Sequence, residues 1–276
     1  MEPSGRGKIL DRRFIFLGLT LAVIIPLLLP VGVPLKVSRP VRNFYEQIER
    51  LPPGARVLLS CDYDPAAKAE IYPMNVAILR HLFERDIKVV AISLWEGGPP
   101  MAERAFQMVA EEYGKTYGLD YVNLGFKEGR EATMVAVGES LKDTFPTDYY
   151  RTPVDNIPLL RDATDYGSFE MLISLTAGYP GGREYAKYVQ PRFDIPLICA
   201  VMATGVPFLM PYYQSQQITG LLTGIIGAAE YEKLIHSPGL ATRAMDPLTI
   251  GHLVIIVFII LGNISVFLGR RSKRSL

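Results

Sequence analysis

The chain has 276 residues, with 29 basic and 28 acidic side chains and a formal net charge of +1 at pH 7. This near-neutral balance excludes the electrostatic signature of a nucleic-acid-binding protein, because no basic stretch stands out between the two ends. The hydrophobic fraction is 49%, and its apolar residues are concentrated into two long runs. Those runs, and the segment between them, define the organisation of the chain.

The first apolar run covers residues 14–35 and contains no charged residue before its end. Its length of about 22 residues is enough to cross roughly 30 Å of hydrocarbon as a helix. Pro26, Pro30 and Pro34 lie in its second half and predict that the helix ends near Leu29. A cleaved signal peptide is the alternative, but its apolar region would be only about 7–15 residues long. We therefore expect an uncleaved transmembrane helix.

The second apolar run covers residues 248–268, where Ser265 and Gly269 add a weak small-residue signal for helix packing. Four basic residues precede the first run within residues 1–13, and four follow the second within residues 269–276. Basic residues are enriched on the cytoplasmic side of membrane spans, although three further basic residues just after the first run weaken the asymmetry. The pattern predicts two cytoplasmic tails and an extracytoplasmic middle segment.

The middle segment alternates between short apolar runs and amphipathic stretches. We expect a linker with a short helix at residues 36–55, a soluble domain at 56–236 and a second linker at 237–247. Predicted strands occupy residues 56–61, 88–94, 121–124, 171–175 and 195–202, with a possible sixth at 206–210 and a final helix over 216–233. The fold class is α/β, a Rossmann-like and mostly parallel sheet with helices on both faces, flanked by one transmembrane helix at each end.

Two segments of the middle domain are harder to interpret. Residues 149–167 have no clear periodicity and contain two prolines, so they are predicted to form a long surface loop. Residues 195–212 are apolar enough to be a third membrane span, but three prolines interrupt them and a third span would put one basic tail on the wrong side. The strand interpretation of this segment is favoured.

Ligands of open parallel sheets bind beyond the carboxyl ends of the strands, so the residues after each predicted strand are the candidate site. These candidates for ligand binding are Asp62, Asp64, Glu96, Lys127, Thr176 and Gly178. Asp62, Asp64 and Glu96 could hold Mg²⁺ or Ca²⁺, although Asp62 and Asp64 could equally cap turns. The glycine-rich turn at Gly178 could offer backbone N–H groups to an anion, but it matches neither the Walker A loop nor the dinucleotide fingerprint.

Other catalytic signals are weak. The chain has three histidines and lacks the Gly-x-Ser-x-Gly elbow of the α/β-hydrolases. Cys61 and Cys199 each fall within a predicted strand and are expected to be buried thiols, with a disulfide possible only if their strands are neighbours. No cofactor is predicted beyond a possible divalent metal.

A stripe of small residues, Gly220, Gly224 and Ala228, recurs every four positions in the last predicted helix of the soluble domain. Such a stripe permits close approach of another backbone, either the protein's own sheet or a second subunit. We expect a non-enzymatic, membrane-anchored subunit that binds its own copies or other subunits of a membrane complex. A tethered small-ligand sensor and a metal-dependent enzyme that uses the strand-end carboxylates are the alternatives.

Overall fold

The computed structural model describes residues 12–29 and 34–272, which belong to two compact units. We call Leu35–Thr242 the α/β unit, and Met1–Pro34 together with Arg243–Leu276 the helical unit. The predicted basic tails lie largely outside the described residues, as do positions 30–33 of the first predicted span. Each unit is described below by itself.

The α/β unit is built on a six-stranded sheet in which every pair of neighbouring strands is parallel. The strands are β1 (Arg56–Asp62), β2 (Lys88–Ser93), β3 (Tyr121–Phe126), β4 (Met171–Thr176), β5 (Leu197–Val201) and β6 (Gly220–Thr223). Their order is β3-β2-β1-β4-β5-β6. The chain therefore proceeds outward from β1 in one direction and from β4 in the other, so the topological switch point lies between β1 and β4.

Helices cover both faces of this sheet, as the Rossmann-like prediction requires. They are α2 (Arg39–Glu49), α3 (Lys68–Glu84), α4 (Gly98–Tyr113), α5 (Glu131–Glu139), α6 (Leu141–Thr144), α7 (Gly182–Glu184), α8 (Gln190–Phe193), α9 (Val206–Gln214) and α10 (Gly224–Leu234). A π-helical turn, Tyr185–Val189, joins α7 to α8. The central strands are buried along almost their whole length, which explains why they read as continuous apolar runs.

The crossover between β3 and β4 is not the surface loop that the sequence predicts over residues 149–167. It contains three short 3₁₀ turns, and six of its apolar side chains are buried in the core beneath the sheet: Val154, Ile157, Leu159, Leu160, Ala163 and Tyr166. The Tyr166 hydroxyl donates a hydrogen bond to the carbonyl of Met134, at 2.8 Å. Single 3₁₀ turns point apolar residues into the core with neither the period of an α-helix nor that of a β-strand. A search for hydrophobic periodicity therefore misses them.

The chain after β5 differs from the prediction in two ways. Residues 206–210 form the start of α9 instead of a sixth strand, and the segment predicted as one helix over 216–233 is split into β6 and α10. Residues 195–212 are thus a buried strand followed by a helix of the α/β unit, not a membrane span. Gly224 marks the split, because its φ of +59° is a left-handed conformation that glycine adopts without steric cost.

The small-residue stripe therefore does not exist as one helix face. Gly220 belongs to β6, where an added Cβ would lie 2.4 Å from the Cα of Phe44 in α2. Gly224 is the first residue of α10, and Ala228 is fully buried within the α/β unit. Gly220 and Ala228 serve close packing inside the α/β unit, as the own-sheet alternative for the stripe predicts, and an assembly role for these three residues stays a prediction.

The helical unit contains α1 (Arg12–Leu28) and most of α11 (Leu240–Ser272), a helix that also takes in the predicted linker at 237–247 from Leu240 onward. By length and hydropathy, one helix of the described chain qualifies as a membrane span, Leu240–Ile264, with a mean hydropathy of 2.2. The shorter apolar helix covers Arg13–Leu28. Pro26 lies in its last turn, and the 17 residues of α1 extend only about 25 Å.

Within the helical unit, α1 and α11 pack against each other in antiparallel directions. A Cβ added to Gly18 would lie 3.0 Å from the ring of Phe258, and one added to Gly251 would lie 3.7 Å from Val23. Small residues at such contacts bring helix backbones together, as they do in membrane helices. The side-chain surroundings of Ser265 and Gly269, where the sequence places its packing signal, lie outside the described side chains.

Both ends of the α/β unit are held by the last turns of α10, at the amino edge of the sheet. Glu230 accepts hydrogen bonds from the backbone N–H and the hydroxyl of Ser38, and Lys233 donates to the carbonyl of Leu35. The buried carboxylate of Glu232 accepts from the backbone N–H groups of Gly239, Ala241 and Thr242. This carboxylate caps α11, which explains why the helix begins eight residues before the apolar run.

Candidate functional site

The carboxyl edge of the sheet carries three cavities. The central cleft has a volume of about 460 Å³ and lies across the ends of β1, β2 and β3. An outer cavity of about 400 Å³ shares Glu96 and Phe126 with it, and a smaller apolar cavity of about 220 Å³ shares Tyr179. The shared residues make the three cavities neighbours along one edge, where ligands of this sheet class bind.

Trp95 forms the bridge across the switch point. It follows β2 directly, and its indole N–H donates a hydrogen bond to the carbonyl of Pro180, at 3.0 Å, in the loop after β4. A Cβ on Gly178 would lie 3.6 Å from the indole ring, so the ring rests against the backbone of the same loop. The half-buried indole therefore forms a fixed wall of the central cleft, and it is the only tryptophan of the chain.

Arg130 also lines the central cleft and lies in a loop with an unusual backbone. Gly125, Gly129 and Arg130 all have positive φ, at 85°, 126° and 50° respectively. A left-handed conformation is uncommon for an arginine and needs support from its surroundings. Here the Thr133 hydroxyl donates to the Glu128 carbonyl at 2.7 Å and fixes the loop against α5.

The Arg130 guanidinium is held over an aromatic ring. Its central carbon lies 5.4 Å from the centre of the Tyr179 ring, within the range of a cation–π contact. The Tyr179 hydroxyl in turn donates to the carboxylate of Glu131, at 2.5 Å, and this hydrogen bond lowers the pKa of Glu131. The loops after β3 and β4 are thus linked on one side of the central cleft, because Tyr179 contacts both the guanidinium of Arg130 and the carboxylate of Glu131.

Asp62 is not a rim residue, although it ends β1. Its carboxylate is fully buried and accepts hydrogen bonds from the backbone N–H of Leu94 at 2.7 Å and from the Ser60 hydroxyl at 2.6 Å. The Ser60 hydroxyl also lies 2.8 Å from that of Tyr185. Burial raises the pKa of Asp62 to about 7, against the two hydrogen bonds, which lower it. Asp62 therefore ties β1 to the end of β2 instead of contacting a ligand.

The three carboxylates of the predicted metal site are not brought together. Asp64 caps the 3₁₀ turn Pro65–Ala67 by accepting from the backbone N–H groups of Ala66 and Ala67. Glu96 is exposed and lines both the central cleft and the outer cavity. Among residues 12–29 and 34–272, no group of three histidine, cysteine or carboxylate side chains has the arrangement of a metal site. The turn-capping alternative describes Asp64 correctly.

The remaining candidates are divided between cavities. Lys127 is exposed and lines the outer cavity together with Glu96. Thr176 and Gly178 line the apolar cavity, but the Thr176 hydroxyl is engaged with both the carbonyl and the N–H of Gly178. The N–H and the carbonyl of Gly178 therefore both have a hydrogen-bond partner in the Thr176 hydroxyl, so the N–H is bonded without an anion.

The apolar cavity lies beyond β4 and β5. Phe208 and Leu209 of α9 form one side of it, and Arg183 and Glu184 form another. The buried Glu184 carboxylate accepts from the Gly181 N–H at 3.0 Å and from the guanidinium of Arg183 at 2.7 Å. The Gly181 N–H at the start of α7 is thus bonded to a carboxylate of the protein itself, Glu184.

Sequence reasoning missed Trp95, Arg130 and Tyr179 as site residues. Trp95 and Tyr179 follow predicted strands and so fall under the strand-end rule, but that rule does not by itself single out aromatic side chains. Arg130 lies four residues beyond β3, and only the fold of its loop returns it to the cleft. Both cysteines are buried and free, and burial raises the pKa of each thiol; their strands are separated by β4, which excludes a disulfide between them.

No family model and no curated protein sequence matches this chain. Among solved structures, it is similar to a trehalose-6-phosphate synthase, OtsA, at 11% identity and a TM-score of 0.34, covering 80% of this chain and 43% of that one. An E. coli structure described as trehalose-6-phosphate bound with UDP-2-fluoro glucose shares 10% identity over 81% of this chain and 44% of that one, with a TM-score of 0.35. The Burkholderia xenovorans α,α-trehalose-phosphate synthase in complex with glucose-6-phosphate shares 9% identity over 84% of this chain and 44% of that one, with a TM-score of 0.35.

The chain thus spans less than half the length of these structures. At such identities and TM-scores the similarity carries no argument about activity. The Rossmann-like fold follows from the strand order and the parallel pairing of this chain itself.

Proposed function

We propose that this chain is a membrane-anchored protein whose α/β unit binds a small ligand at the carboxyl edge of its sheet. One observation carries the proposal: the central cleft lies at the carboxyl ends of the strands beside the switch point, where open parallel sheets bind their ligands. Its role is then binding or sensing, without a requirement for catalysis.

The membrane part of the proposal rests on the helical unit. Both α1 and α11 expose large apolar side chains, such as Leu27 at 62% and Ile256 at 53%. Water-soluble proteins rarely expose apolar surface of this extent, whereas a bilayer covers it without cost. Because both tails carry the basic clusters, we place the termini in the cytoplasm and the α/β unit outside it.

A thermal-shift screen of small molecules tests the ligand-binding proposal on the full-length protein in maltoside micelles. A ligand of the central cleft raises the melting temperature, and it changes the emission of Trp95, the only tryptophan. Phe126→Ala removes a ring that lines two cavities and should reduce both signals. Leu119→Ala removes an exposed apolar side chain outside the cavities and serves as the control. A broad screen in which no compound changes the emission of Trp95 would refute ligand binding at the central cleft.

Assembly with further copies is the second candidate function, and helix α9 favours it. The helix carries no charged residue, only Leu209 is buried, and Phe208 is 62% exposed. The exposed face of α9, with Pro207 and Phe208, is an apolar surface of the kind that is typical of a protein contact. The native mass of the full-length protein decides: a discrete oligomer that Phe208→Glu dissociates supports assembly through α9, whereas a monomer, or an oligomer unaffected by this change, counts against it.

A further inference from the structure

The central cleft combines acidic side chains with aromatic rings. Asp64, Glu96 and Glu128 lie in its lining, and Arg130 is the only basic residue there. Trp95, Phe126 and Tyr179 supply three rings to the same cavity. Phosphates and carboxylates are disfavoured by such a lining, because three carboxylates outnumber one guanidinium. The charge balance favours a positively charged ligand.

The ring of Tyr179 already receives a cation from the chain itself. The Arg130 guanidinium lies 5.4 Å from the centre of this ring, which is 46% exposed. Arg130 reaches this position from a left-handed backbone conformation, with a φ of +50°, that an arginine does not favour. Arg130 is an exposed residue, and its contact with Tyr179 shows that this ring can receive a cation.

We propose that the central cleft binds an organic ammonium ion, which Trp95, Phe126 and Tyr179 contact with their rings while Glu96 and Glu128 balance its charge. This inference rests on the proposed ligand-binding function and specifies its ligand class. Aromatic rings bind ammonium groups through their negative faces, and nearby carboxylates add the opposite charge. The Arg130 guanidinium occupies part of the cleft in the ligand-free protein and competes with the ligand for the Tyr179 ring.

Arg130 gives the experiment its direction. If the ligand is a cation, Arg130→Ala removes a competitor and a like charge, and it should tighten binding about two- to fivefold. If the ligand is an anion, the same change removes its only basic partner in the cleft and weakens binding. Glu96→Gln, which removes an exposed carboxylate, should weaken ammonium binding by about two- to fivefold. Glu111→Gln is the matched control, because Glu111 is an exposed carboxylate on α4 outside the cleft.

The probes are choline, its uncharged carbon isostere and inorganic phosphate, each titrated against the full-length protein in maltoside micelles with Trp95 fluorescence as the readout. We expect saturable binding of choline, tighter in Arg130→Ala and weaker in Glu96→Gln, with no response to the isostere. Melting curves of each variant establish that it is folded. Equal binding of the isostere, binding of phosphate, or no choline response in both the wild type and Arg130→Ala would overturn the ammonium proposal. After any of these outcomes, another compound from the thermal-shift screen that changes the emission of Trp95 would still support the ligand-binding proposal.

Discussion

Asp62 is the residue at which burial and charge conflict most clearly. Burial raises its pKa to about 7, whereas a carboxyl group in an unfolded chain titrates near 4. Between these values the folded protein binds a proton that the unfolded chain has released, so stability falls as the pH rises from about 4 to about 7. A shift of about three pKa units corresponds to roughly 4 kcal/mol over this window.

Asp62→Asn should remove this dependence. An asparagine keeps an oxygen for the Leu94 N–H and can donate to the Ser60 hydroxyl, but it cannot ionise. We expect the variant to match the wild type near pH 4 and to become the more stable protein as the pH rises towards 8. Denaturant unfolding at several pH values measures the difference, and comparison of the two proteins cancels the titration of every other group. Parallel pH profiles would show that Asp62 is ionised in the folded protein without cost.

The sequence identified the position of Asp62 but not its role. A strand-end aspartate is equally consistent with a ligand contact and with a structural tie. The difference depends on whether its oxygens find partners in the fold, and here Leu94 lies 32 positions away along the chain. Contacts of this range are invisible to local patterns. For the same reason the pairing of Tyr179 with Arg130, which lie on different loops, could not be foreseen.

Gly220 shows how one element is held against another. A methyl group at this position would lie 2.4 Å from the Cα and 2.7 Å from the backbone nitrogen of Phe44, neither of which can move without α2. Gly220→Ala should therefore destabilise the α/β unit by about 1–3 kcal/mol through overpacking. Thermal or denaturant unfolding of the purified protein measures this loss.

Gly178→Ala is the control for that prediction. An added methyl there meets only the Trp95 ring at 3.6 Å, an ordinary contact distance, and should change stability by less than about 0.5 kcal/mol. If Gly220→Ala were equally neutral, α2 would not be packed tightly on β6.

At the scale of elements, sequence patterns succeeded where an element is buried or regular. The first five strands are short apolar runs bounded by turn residues, and the structure has all five close to their predicted positions. The pattern failed at α9 and β6, where apolar composition continues through a strand, a helix and a second strand. Three prolines interrupt residues 195–212, and one of them, Pro207, lies in the first turn of α9, where proline is tolerated.

For the molecule as a whole, the last turns of α10 are the common attachment of both chain ends. Four consecutive residues bind three segments. Glu230 and Lys233 bind Ser38 and the carbonyl of Leu35 before α2, the Tyr231 hydroxyl is hydrogen-bonded to His81 of α3, and Glu232 caps α11. The α/β unit is thus self-contained between these attachments.

This organisation predicts how the chain divides between membrane and water. The full-length protein should stay in the membrane pellet after alkaline carbonate washing, because the exposed apolar side chains of α1 and α11 lose their lipid contacts only on extraction by detergent. A shortened chain, Leu35–Thr242, keeps the whole sheet and the contacts of Glu230, Glu232 and Lys233, and it should be recovered from the soluble fraction. Release of the full-length protein by carbonate would show that α1 and α11 pack against protein instead of lipid, and the assembly function would then explain their exposed surfaces.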